Sequence, residues 1–321
     1  MSGPVTTEDA APHAEPAGAG AGPVVELSAA RVSQVGPMSV RRMLPHRPQR
    51  RTVGAWCFAD HIGPVAVRAP GVGIGPHPHM GLQTVSWLLE GELLHLDSLG
   101  SEQLIRPGQL NLMTAGHGLS HAEEDPGRSN RIHGMQLWVA QPAATRDGAA
   151  AFEHHDSLPQ VEHDGCQATV LVGDLDGIVS PARRDTEHVG AELTLRAPRG
   201  TVPLRRDYEH ALIVLEGRIE VEGAVAEPDL LMYLGSGRDE VMIKTDDTAR
   251  LLLVGGVPFP EAILMWWNFV ARTTDEVSEA QREWAAHDER FGEVHSKLAR
   301  IEVGRPPWET LPATTPPNPS G

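Results

Sequence analysis

From Val24 to Trp308 the chain alternates short apolar runs with turns that carry Gly and Pro. Residues 84–89, 137–139, 168–172, 211–215 and 250–254 read as strands bounded by such turns, the texture of an all-β sandwich or barrel. Residues 274–298 break it. They are rich in Glu, Ala and Arg, and Thr274 followed by Asp275 and Glu276 makes an N-cap, which predicts a helix interrupted near Phe291-Gly292. Outside the periodic region, residues 1–23 (Ala, Gly and Pro rich) and 305–321 (Pro312, Pro316, Pro317, Pro319) are expected as disordered and Pro-rich tails.

The pattern repeats. Trp87-Leu88-Leu89-Glu90-Gly91 matches Ile213-Val214-Leu215-Glu216-Gly217, and the run from Pro107 to Gly116 echoes that from Pro228 to Gly237. The period is too long for a solenoid, so the chain reads as a duplicated β-domain. The first copy is placed at 24–148 and the second at 149–304, joined around 142–152 and followed by the helical segment. A length of 321 residues with 40% hydrophobic content suits two such domains.

Charge and cysteine narrow the partners. A formal net charge of -16 argues against phosphate backbones and anionic membrane surfaces. The locally basic Arg41, Arg42, Arg47, Arg50 and Arg51 are expected at a solvated strand edge or a domain contact. With Cys57 and Cys166 as the two cysteines, neither a disulfide framework nor a thiolate zinc cluster is available, which fits a reduced, cytoplasmic setting. Residues 1–23 have no basic and apolar signal pattern, and no apolar run reaches the length of a membrane span.

The chain carries 16 histidines, and two strings stand apart from the rest. In His77-Pro78-His79 the two imidazoles are at i and i+2 of a strand and leave the same face, while Pro78 lacks an N–H and belongs at a sheet edge or strand start. His121-Ala122-Glu123 repeats the spacing. Facing each other, the pairs supply three neutral imidazoles and one carboxylate, a donor set for a divalent transition metal such as iron, manganese, nickel or copper. On an octahedral ion four protein ligands leave two positions open, whereas a structural zinc would close its shell. In the second copy Pro203, Arg205, Met242 and Lys244 stand at the corresponding positions, so that domain is expected to be metal-free.

Gly71, His77, His79, Thr84 and Gly91 follow the spacing of the first cupin motif, with Thr84 where the usual Glu stands. The strings Arg41-Arg42-Met43-Leu44-Pro45, Phe58-Ala59-Asp60-His61-Ile62-Gly63-Pro64, Pro76-His77-Pro78-His79-Met80-Gly81-Leu82, His95-Leu96-Asp97-Ser98-Leu99-Gly100, 113–123 and His133-Gly134-Met135-Gln136-Leu137-Trp138 resemble the pirin family. The chain departs from many pirins at His117, where they carry Arg, and at Ala55-Trp56, where they carry Pro-Phe.

The resemblance implies a bicupin: two tandem antiparallel jelly-roll barrels with a C-terminal helical segment. It implies one Fe(II)/Fe(III) ion per chain held by His77, His79, His121 and Glu123, with Mn, Ni, Cu, Co or Zn as alternatives, and Glu123 supplying the carboxylate that Thr84 does not. It also implies quercetin 2,3-dioxygenase-type activity on a flavonol-like compound with dioxygen, Glu123 accepting the substrate proton. The alternative it carries is a non-enzymatic regulator that binds a transcription factor or metabolic enzyme. Leu82, Trp87, Leu110, Leu112, Met135 and Leu137 are expected as the apolar wall of the site. His117 is expected at the surface, with a place near the mouth as the alternative, Glu124 is expected to be solvated, and His61, His95 and His133 are expected to orient strands by hydrogen bonding.

Overall fold

A computed structural model of the chain describes residues 22–36, 38–45, 52–66, 73–196 and 198–310. The remainder of the expected tails, together with Arg47, Arg50, Arg51 and Gly71, lies outside the described residues. The strands that matter most for the site are β1 (Glu26–Ala29), β2 (Arg31–Val35), β3 (Met38–Leu44), β4 (Trp56–Ala66), β5 (Gly73–His79), β6 (Leu82–Glu90), β7 (Leu93–Asp97), β8 (Glu102–Ile105), β9 (Leu110–Thr114), β10 (Leu119–Glu124), β11 (Arg131–Ala140) and β12 (Ala151–His155).

In the first domain a seven-stranded sheet, β12-β9-β6-β11-β4-β3-β2, is closed by a four-stranded one, β5-β10-β7-β8. Val40, Ile62, Leu88 and Ile132 from the large sheet meet Ile74, Leu93 and Ile105 from the small one in a shared core. The second domain repeats the plan with strands Leu230–Gly235, Glu209–Glu216, Ala249–Gly256, His188–Leu195, Cys166–Val172 and Gln160–His163 in the large sheet. The repeat read from the sequence is structural: Gly91 and Gly217 both leave their strands at positive φ, +93° and +80°. A side chain at either place would strike a backbone carbonyl at 2.5 Å.

The large sheets pack back to back. Trp87, Met135 and Leu137 of the first lie in one cluster with Leu171, Ile213 and Leu252 of the second. Trp87 Nε1 donates to Glu192 (2.6 Å), and Trp56 Nε1 donates to the carbonyls of Val189 (3.0 Å) and Gly255 (3.2 Å). Arg41 crosses to Asp229 at 3.0 Å, the domain contact expected of it. The domains also exchange strands. β1 pairs with Leu230–Gly235 of the second domain, and β12, beyond the connection, pairs with β9 of the first.

The helical segment is shorter than its composition suggested. α1 runs Thr274–Ala285, is capped by Thr273 rather than Thr274, and stops where His287 takes a left-handed conformation, φ 57°. After a 3-10 turn at Glu289–Phe291, residues 292–306 form a strap without regular secondary structure. Residues Pro307–Thr310, expected in the Pro-rich tail, fold into one helical turn whose Trp308 Nε1 donates to Ser278 on α1 at 2.9 Å. No helix among the described residues is long and apolar enough to cross a membrane.

Candidate metal centre

Strands β5 and β10 are antiparallel, with His121 opposite His77 and Leu119 opposite His79. Residues paired across a ladder share a face, as do residues two apart on one strand. The three imidazoles therefore converge: their ring nitrogens lie within 4.8 Å of one another, and all three residues are buried. Nε2 of His79 and Nε2 of His121 are 3.1 Å apart. β5 is an edge strand, as Pro78 requires.

The far nitrogens are anchored. Nδ1 of His77 is 2.8 Å from the Gly75 carbonyl, and Nδ1 of His79 is 3.2 Å from the carbonyl of Asn268, in the turn between Leu264–Trp266 and Phe269–Ala271. A proton on Nδ1 donated to a carbonyl leaves the Nε2 lone pair for a cation. Nδ1 of His121 is 3.4 Å from Nδ1 of His95, whose Nε2 is 3.0 Å from Asp97 Oδ2. Phe152 of β12 stacks on the His95 ring at 4.3 Å. Burial raises the Asp97 carboxyl, but hydrogen bonds from His95 and Ser101 outweigh that and hold it below its usual range.

Burial also keeps the imidazoles neutral. It pushes His77 down to about 3 and, with the neighbouring rings adding to the effect, holds His79 and His121 well below their ordinary value. Neutral imidazole is the form that ligates a metal. Glu123 lines the same cleft as the histidines. A β-bulge between His121 and Glu123 sets it opposite Ile74, and its carboxylate lies outside the tight group of three ring nitrogens. Burial raises its pKa. Three neutral, anchored imidazoles aimed at one point with a carboxylate on the adjoining wall fit a divalent transition metal.

The cleft encloses about 780 Å³ with its mouth included, of which about 40 Å³ admits the centre of a water molecule. Its large-sheet wall is built in rows across β6, β11, β4 and β3. Thr84, Trp138 and Phe58 form the row beside the metal site, followed by Ser86, Gln136, Asp60 and Arg42, then Leu88, Gly134, Ile62 and Val40. Trp138 meets His79 edge-on at 5.1 Å and stacks on Phe58 at 4.1 Å.

The structure corrects several sequence expectations here. Trp87, Leu110, Leu112, Met135 and Leu137 lie in the cluster between the domains rather than on the cleft, because they occupy the opposite parity of their strands, and Leu82, at the start of β6, joins the same cluster. His117 is exposed, in keeping with the surface role expected of it rather than the alternative place at the mouth; it lines a separate surface pocket and gives its carbonyl to Arg290. Glu124 is buried rather than solvated, accepting hydrogen bonds from Ser296 Oγ (2.6 Å) and Lys297 N (2.9 Å) of the strap. That strap lies so close to β5 that a Cβ on Gly75 would sit 1.9 Å from the Ala299 carbonyl.

Residues 37–139 match the pirin family, and residues 191–292 match the pirin C-terminal cupin domain. The chain is a member of the pirin family. A Pseudomonas aeruginosa protein named "putative quercetin 2,3-dioxygenase" is 44% identical over 285 residues, covering 87% of this chain and 90% of that protein. The crystal structure of a quercetin 2,3-dioxygenase from Acinetobacter baumannii superposes with TM-score 0.85 at 43% identity, covering 91% of this pirin and 97% of that chain. The Escherichia coli pirin YhhW in complex with nickel(II) shares the fold at TM-score 0.58 and 19% identity, covering 73% of this chain and 100% of its own.

The second barrel of this pirin is packed with apolar side chains, Val202, Val241 and Ile243 among them. Met242 and Lys244 point outward, and Arg205 is exposed and paired with Asp207, so these three residues, aligned in sequence with ligand positions of the first domain, stand outside the second barrel. His95 and Asp97 did carry a signal in the sequence, the same i, i+2 spacing as the ligand pairs. The Asn268 carbonyl carried none, since 189 residues separate it from His79.

Proposed function

We propose that this pirin is a dioxygenase of the quercetin 2,3-dioxygenase type, holding one iron ion per chain through His77, His79, His121 and Glu123 and acting on a flavonol-like oxygenated aromatic compound. The observation that carries the reading is the convergence of three anchored, neutral imidazoles at the end of a largely apolar cleft that also holds Glu123. When bound, iron would supply a Lewis acid for a substrate hydroxyl and a redox centre for dioxygen.

The chain's own residues do the rest. Glu123, its pKa raised by burial, is the carboxylate beside the histidines able to take the substrate's hydroxyl proton. Trp138 and Phe58 offer a flat apolar surface to a ring. The cleft is narrow, and a ring entering it displaces side chains along its lining, Met38 and Arg131 among them. Cys57 and Cys166 are free and buried, which suits a reduced cytoplasmic setting.

Anaerobic reconstitution with ferrous iron, addition of quercetin, admission of oxygen and assay of carbon monoxide test the reading, with Mn, Ni, Cu, Co and Zn as parallel arms. Quercetin loss coupled to carbon monoxide release is the expected result. Quercetin that stays unconsumed with every metal removes the dioxygenase reading for this substrate and leaves the regulatory one, in which the cleft senses a ligand for a protein partner.

A further inference from the structure

The middle row of the cleft wall is a polar ladder across four strands: Ser86 pairs with Gln136, Gln136 with Asp60, and Asp60 with Arg42. The Asp60 carboxylate, the Ser86 hydroxyl and the Gln136 amide oxygen are each bonded within the ladder. Arg42 Nε and Nη2 donate to Asp60 Oδ1 and Oδ2 at 2.8 and 2.7 Å, and Arg42 lies 4.7 Å over the Phe58 ring. Ser86 Oγ donates to Gln136 Oε1 at 2.8 Å, which turns the amide nitrogen away from Ser86. Gln136 Nε2 then keeps two N–H donors with no protein acceptor among the described residues, on a half-buried side chain that lines the cleft.

The row toward the mouth offers no such donor, while the row toward the metal site carries the Trp138 indole N–H and the Thr84 hydroxyl. Toward the metal site stand Trp138 and Phe58, and toward the mouth Leu88, Gly134, Ile62 and Val40. Arg131, at the mouth, is largely exposed and faces Glu90 at 3.5 Å. Gln136 is two residues from Trp138 on the same strand face, roughly 7 Å along the strand. An aromatic compound held at the histidines by one oxygenated edge and laid along Trp138 would bring its far ring to that amide.

We propose that Gln136 is a specificity-determining residue, donating through Nε2 to a second oxygen-bearing group on the ring remote from the metal-binding edge, with Ser86 fixing the amide's orientation. The inference rests on the cleft being the site of an oxygenated aromatic substrate. A donor so placed disfavours ligands that lack the matching acceptor, because a ring laid over it then covers it unpaired.

The test compares quercetin with 3-hydroxyflavone, which keeps the metal-chelating 3-hydroxy-4-keto edge and lacks the remaining hydroxyls. Full-length chain loaded with nickel(II) is titrated anaerobically with each, and binding is read from the flavonol absorbance shift. Wild type is expected to prefer quercetin by about tenfold, the worth of one well-placed hydrogen bond. Gln136→Leu should bind 3-hydroxyflavone as wild type does and lose that preference; Gln136→Asn, polar but too short, should lose it too, and Ser86→Ala should weaken it.

Nickel content of each variant reports that the site is intact. A preference that survives in both Gln136 variants overturns the assignment while leaving the dioxygenase reading standing, as does a wild type with no preference. Binding without oxygen-dependent consumption in the iron-loaded protein removes the dioxygenase reading alone. Failure of wild type to bind either flavonol overturns both.

Discussion

His79 and His121 come from different strands and bring their Nε2 atoms within 3.1 Å, while Asn268 and His95 stand at their far nitrogens. Two imidazoles so held share a cation or share a proton, and the His77 ring, 4.4 Å from that of His121, makes the cation the better occupant. His79→Ala should drop metal content from about one ion per chain to near zero by elemental analysis. His163→Ala, on strand Gln160–His163 of the second domain, should leave it unchanged. Equal loss in both would mean that the ligands lie elsewhere.

Thr84 stands directly across from Trp138 on the cleft face, at the place of the usual cupin carboxylate. Glu123→Ala is expected to weaken metal binding by at least about tenfold, and Thr84→Glu added to it to recover part of the loss. Calorimetric titration of the four proteins in the cycle measures the coupling. Undiminished affinity in Glu123→Ala alone takes this carboxylate away from the metal.

Asp97 stands opposite His121 in the β7–β10 ladder, and its carboxylate holds His95, whose ring in turn meets that of His121. Such supporting carboxylates are worth about 10–100-fold in metal affinity. Asp97→Asn should cost that much while thermal unfolding of the metal-free protein stays cooperative. A variant with wild-type affinity would show that His95 orients His121 unaided.

Acid should destabilise the metal-free protein well before its carboxylates titrate. Burial holds His61, His188 and His210 down at about 4, below their ordinary 6.5. Between those values the unfolded chain binds protons that the folded chain does not, so stability falls as pH drops from 6.5 toward 4. For His188, fully buried, the loss at pH 5 is on the order of 2 kcal/mol. Melting temperatures of the metal-free protein at pH 7, 6 and 5 should fall in that order; a flat profile would contradict neutral burial of these rings.

The sequence carried the ligand spacing, the repeat and the strand texture, because each is local. It could not say which face of β6 or β11 looks at the metal. Val85, Trp87, Met135 and Leu137 face the second domain, while Ser86, Gln136 and Trp138 face the cleft, and both sets are largely buried. A strand covered on both sides loses the apolar-polar alternation that would mark its core face. The wall assigned from apolar content was therefore the wrong one. Glu124 was missed for a related reason: the strap that covers it arrives from 172 residues away.

The exchange of β1 and β12 clasps the two halves of the chain. A nick at 142–150 would leave β12 on the fragment that carries the second barrel, while β1 stayed on the fragment that carries the histidines. Each fragment would then hold the missing edge of the other, and neither could leave without baring a row of backbone donors and acceptors. The metal-binding half is thus not a transplantable module: grafted alone onto another protein it would arrive without β12, and with it would go Phe152, the ring against which His95 is stacked.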